Sequence, residues 1–164
     1  MSIRKFETLT PAGKRARIAR DVIAQLDAKK LVVVAGKFFN WYQSLDGPSG
    51  PNRRTRPMSA FKSCETCALG SVFCTLVDKK LIVEPKAEQA DSEFTVYGAL
   101  SVYFSKITLA QIETLFEGRV WEREEVGVGW GATGIDDDIA RNFALKNQDS
   151  ESRLRVLMGN IIKN

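Results

Sequence analysis

Behind Thr10-Pro11, the apolar residues Ile18, Ala19, Val22, Ile23 and Leu26 recur at helical spacing, with Lys14, Arg17, Asp21 and Gln25 on the opposite side. Threonine as N-cap followed by proline at the first helical position marks a start, so the pattern predicts a helix from about Pro11 to Lys29. Leu31 to Val34 is rich in β-branched residues and runs into Ala35-Gly36. Lys37 to Tyr42 then holds four aromatics, so two extended pieces around a bend, a small hairpin, are expected. A loop follows over Ser44 to Pro57, with its prolines, glycines and arginines. Ser63 is expected to cap a second helix over about Cys64 to Lys80, whose apolar face is Leu69, Val72, Phe73, Leu76 and Val77.

Further on, Asp91 or Ser92 is expected to cap a helix reaching Phe104. Thr108 with Gln111 three positions later has the form of a capping box ahead of Ile112, Leu115 and Phe116, and Gly118 is a natural stop. Arg119 to Gly134 reads as a glycine-rich loop or short hairpin, Asp136 to Lys146 as a helix, and Ser150 to Lys163 as a final helix with Leu154, Leu157, Met158, Ile161 and Ile162 on one stripe. The pattern as a whole predicts a mainly α chain: a compact single-domain helical fold over residues 1–164 with a short β-hairpin.

Composition agrees with that picture and narrows the chemistry. The chain has 164 residues, 44% hydrophobic and 27% charged, which is ordinary for a globular domain able to bury a core without disulfides. It lacks an apolar run of the roughly 18 to 20 residues needed to span a bilayer, so a cytoplasmic protein is expected. The net charge of +4 is uneven: Met1 to Lys62 carries 13 Lys and Arg against 4 Asp and Glu, and the remainder carries 11 against 16. A basic first part and an acidic second part suit charged partners.

The chain contains no histidine and three cysteines. Nucleophile pairs with histidine, histidine general bases and His-Glu zinc motifs are therefore unavailable within it. Cys64 and Cys67 form a C-x-x-C, but Arg56 to Lys62, with Pro57 inside it, is a poor strand for a thioredoxin-like unit, and zinc would need a fourth ligand beyond Cys64, Cys67 and Cys74. The Gly127 to Gly134 run resembles a phosphate cradle, yet Asp136, Asp137 and Asp138 place negative charge where phosphate would sit. The stronger candidates for partner contact are Arg53, Arg54 and Arg56 on their proline-braced loop and Trp130 on the glycine-rich one. An alternative reading joins Lys14, Arg15 and Arg17 to Arg53, Arg54 and Arg56 as a nucleic-acid surface, with the aromatics at Phe38, Phe39, Trp41 and Tyr42 stacking bases. A third makes Cys67 or the Glu122, Glu124 and Glu125 cluster the centre of a thiol or carboxylate enzyme.

Cys67-Ala68-Leu69-Gly70 resembles the Cys-Ala-Leu-Gly turn at the start of a central helix in a family of small uncharacterised proteins from bacteriophages and actinobacteria. Asp21 to Leu26 followed by Val34-Ala35-Gly36, and Arg153 to Met158 near the end, also resemble phage-borne relatives; the stretch from Glu117 to Gly134 departs from them. The resemblance implies a phage or prophage accessory protein acting in a host cytoplasm. Together with the excluded chemistry, it leads to the expectation of a non-enzymatic binding protein that needs no cofactor or metal and engages a host protein complex, with inhibition of a host defence as its most concrete form.

Overall fold

A computed structural model describes residues 6–36, 39–42, 63–82, 93–118 and 148–164. Helix α1, Pro11–Asp27, starts where the sequence places it: the Thr10 hydroxyl accepts from the Gly13 amide at 3.1 Å. It buries Ala16, Ile18, Ala19, Val22, Gln25 and Leu26. Lys29 ends the turn in the left-handed region, at φ 54.

Three short strands follow. Strand β1, Leu31–Val33, runs parallel to β3, Ser63–Thr66, and β2, Phe39–Tyr42, runs antiparallel to β3 on its other side, giving the order β1-β3-β2. The expected hairpin is thus corrected. Both extended pieces exist, but they do not pair with each other, because Ser63–Thr66 lies between them and takes hydrogen bonds from both sides. The same pairing corrects the start of the second helix. Ser63 is no cap and Cys64 is not helical, since their backbone groups belong to the sheet, in register with Leu31, Tyr42 and Trp41. Cys64 and Thr66 point inward while Ser63 and Glu65 are half-buried.

Helix α2, Ala68–Asp78, begins only after Cys67, and its ten residues from Ala68 to Val77 are all buried. A helix covered on every side must satisfy its own polar groups. Ser71 donates to the Cys67 carbonyl at 2.9 Å, Thr75 donates to the Ser71 carbonyl at 2.8 Å, and Gln25 of α1 donates to the Thr75 hydroxyl at 3.0 Å. The wrapping comes from α1, α3 (Glu93–Leu100), α4 (Lys106–Phe116), β1 and β3, all of which pack against α2.

Two helix boundaries also shift. Helix α3 stops at Leu100, where the Tyr103 and Phe104 amides both return to the Leu100 carbonyl. The cap of α4 is Ser105, whose hydroxyl accepts from the Thr108 amide at 3.1 Å, so Thr108 is the third helical residue rather than the cap. Gly118 ends that segment with φ 73, as a C-terminal glycine does. Helix α5, Ser150–Lys163, starts at Asp149, which accepts from the Ser152 amide at 2.9 Å, and packs on α1, α4 and β1. The fold is therefore mainly α, with a small three-stranded sheet. Among the described residues, no helix is long and apolar enough to cross a membrane. The predicted helix Asp136 to Lys146 lies outside the described residues.

Leu76 and Val102 set the energetic contrast, being 0% and 72% exposed. Leu76→Ala is expected to lower unfolding free energy by about 2 to 5 kcal/mol in urea titrations. Val102→Ala should stay within roughly 0.5 kcal/mol of wild type.

Candidate functional site

The cysteine segment sits where the central strand turns into the central helix. Cys67 is the N-cap of α2 but makes no side-chain capping bond; its carbonyl instead accepts from the Thr66 and Ser71 hydroxyls. Burial raises the Cys67 pKa and outweighs the Gly70 and Leu69 amides, which favour its thiolate, with Glu113 of α4 and Glu117 just past its end adding to the rise. These carboxylates are themselves engaged: the Tyr97 hydroxyl donates to Glu113, and the Gly36 amide donates to Glu117 at 3.1 Å. This arrangement opposes a reactive thiolate at the helix start.

The sulfur contact in the segment is not the one that the C-x-x-C spacing suggests. Cys64 and Cys74 face each other with Sγ atoms 3.5 Å apart, inside the core. The hydrogen bond with Cys64, then burial, pushes the Cys74 pKa well above the usual thiol range. Among the described residues, no cluster of three or more His, Cys, Asp or Glu is arranged to hold a metal ion. A readable signal was present: the inward alternation of Ser63-Cys64-Glu65-Thr66 aims Cys64 at the helix that follows.

The basic candidates separate. Lys14 is paired with Glu7 at 3.3 Å and lies over the Phe6 ring, 5.7 Å from its centroid. Arg17 is paired with Asp21 at 2.9 Å, and Arg15 is half-buried on the same helix. Arg53, Arg54, Arg56 and Trp130 lie outside the described residues, as do Glu122, Glu124 and Glu125.

What the structure does place is the attachment of the segments that carry them. Tyr42 and Ser63, the described residues on either side of 43–62, are register partners across the β2-β3 ladder. Beside that point the Cys64 amide donates to the Lys30 carbonyl at 2.9 Å, at the end of α1. The end of α2 is close by, because Gln25 reaches Thr75 and the Lys79 amide bonds the Thr75 carbonyl. Lys29 and Lys30 follow the end of α1, and Lys79 and Lys80 follow the end of α2. Lys80, like Lys29, is held in the left-handed region, at φ 56, where a non-glycine residue costs roughly 1 kcal/mol.

The Trp130-bearing segment departs elsewhere. The chain leaves α4 at Gly118, next to Glu117 and its partner Gly36, beyond the Thr66 end of the sheet. It returns at α5, where Arg153 lies over the Phe116 ring at 5.9 Å. Comparison with known protein families, characterised proteins and solved structures gave no match.

The buried thiols make a pH prediction with a definite sign. Raised folded-state values mean that the stability held by Cys67 and Cys74 is complete below the unfolded thiol pKa, about 8.5, and is lost as pH rises through the folded values. The urea midpoint should fall at alkaline pH from about 8.5 upward. Cys74→Ala should show a shallower alkaline fall than wild type, whatever its stability at neutral pH.

Proposed function

We propose that this protein is a non-enzymatic binding protein, a phage or prophage accessory factor that engages a host protein complex and inhibits a host defence in the manner of anti-CRISPR proteins. The observation that carries this reading is the burial of the cysteines: Cys64, Cys67 and Cys74 are 7%, 7% and 3% exposed. Arginine and tryptophan are enriched where proteins contact one another, and Arg53, Arg54, Arg56 and Trp130 supply both types. Burial also raises the pKa of Cys67, the candidate nucleophile, which disfavours the thiolate that a nucleophilic mechanism would use.

The nucleic-acid alternative has less support. Lys14 and Arg17 already hold Glu7 and Asp21, which leaves that surface with less positive charge to offer phosphate.

Expression in a bacterium with an active RNA-guided defence should restore plating of a targeted phage, and the tagged protein should retain a component of that defence from lysate. Joint replacement of Arg53→Glu, Arg54→Glu and Arg56→Glu should leave the melting temperature unchanged and weaken that retention by about tenfold or more. If wild-type protein neither retained a partner nor altered restriction, the reading would fail. Mobility shifts of DNA or RNA in low salt, lost in the same variant, would support the alternative.

A further inference from the structure

The Cys64 and Cys74 contact is not used by the proposed function, and its geometry has a chemistry of its own. One sulfur sits on the central strand and the other two turns into the central helix, so the pair spans the corner through Cys67. The Sγ atoms are 3.5 Å apart, and both residues are buried, 7% and 3% exposed. A disulfide needs about 2.05 Å, so the sulfurs must approach by about 1.5 Å to bond. The hydroxyls of Ser71 and Thr75, on either side in sequence, are already committed to their own helix, and the Cys64 thiol also lies 3.7 Å from the Glu65 carbonyl, farther than from the Cys74 sulfur.

We propose that Cys64 and Cys74 form a redox pair whose disulfide pins β3 to α2, with Cys67 left as the free thiol. The oxidant is a low-molecular-weight disulfide such as oxidised glutathione. The Cys64 thiol loses its proton and its sulfur attacks the small disulfide, forming a mixed disulfide and releasing one small thiolate. Cys74 then loses its proton and attacks the Cys64 sulfur, forming the Cys64-Cys74 bond and releasing the second small thiolate. The protein gives up two electrons and two protons, and the oxidant becomes two small thiols. Both sulfurs are buried in the closed core and out of reach of the small disulfide, so the reaction is slow, on the scale of hours, and proceeds through opening of the corner. Ser63, the residue at which the arginine-bearing segment returns, adjoins Cys64, so the bond fixes the base of that segment.

The test is incubation of the reduced full chain with excess oxidised glutathione, followed by unfolding in an alkylating reagent and mass spectrometry. Labelled thiols should drop from three to one per chain with a mass loss of two hydrogens. Cleavage after Glu65 and between Cys67 and Cys74 should leave Cys64 and Cys74 fragments joined and the label on Cys67. Cys67→Ala should still lose both remaining thiols, whereas Cys64→Ser and Cys74→Ser should not form an intrachain bond. Three labelled thiols after incubation, a persistent glutathione adduct, or a bond joining Cys64 to Cys67 would overturn the proposal; mapping of the wild-type chain decides this even if a variant fails to fold.

Discussion

A helix with no face toward water has to be wrapped, and α2 is such a helix: its residues from Ala68 to Val77 are buried without interruption. Everything described around it follows from that demand. Helices α1, α3 and α4 and strands β1 and β3 each bury an apolar face against it, and α5 closes the outer side of α1, α4 and β1. Fully burying a Leu, Val or Phe side chain contributes roughly 1.5 to 3 kcal/mol each, so Leu69, Val72, Phe73 and Leu76 supply a large share of the drive to fold. The cost is polar: serine, threonine and a neighbouring glutamine inside this core must find partners, and the Gln25, Thr75 and Ser71 chain of hydrogen bonds provides them.

That constraint decides what the cysteine segment can do. Because α2 enters the core directly from β3, its N-terminus is not an open anion site or an exposed thiol centre. Cys67 is sealed at the corner near Glu113 and Glu117, and Cys74 is sealed against Cys64. The charged residues are displaced to the ends of the core. Arg155 of α5 bridges Asp27 of α1 and its own Glu151, and Glu151, then Asp27, raises its pKa. Lysines collect where α1 and α2 end. The inside of the described core is thus committed to packing.

The sequence was most legible where a polar cap met an amphipathic stripe. Thr10 with α1 and the stripe of α5 were found with their boundaries nearly intact, since local spacing alone marks a half-buried helix. It was least legible at Ser63–Thr66. Four residues without an apolar run look like a helix cap, and only pairing with residues 21 to 33 positions away makes them the central strand. The same non-local pairing hid the sulfur contact, because C-x-x-C spacing draws attention to Cys64 and Cys67 while the strand-to-helix turn sets Cys64 against Cys74. The Arg17 and Asp21 pair was readable in principle from its i,i+4 spacing, which should have removed Arg17 from the free cations.

The claim that α2 is the keystone is tested most directly by native-state hydrogen exchange across a denaturant series. The amides from Val72 to Val77 are predicted to exchange only through global unfolding, with the same free energy and denaturant slope as the whole-chain transition, while the ends of α1 and α5 open locally at lower cost. Exchange of the α2 amides through local openings, at a free energy below that of α1 or α5, would contradict the account.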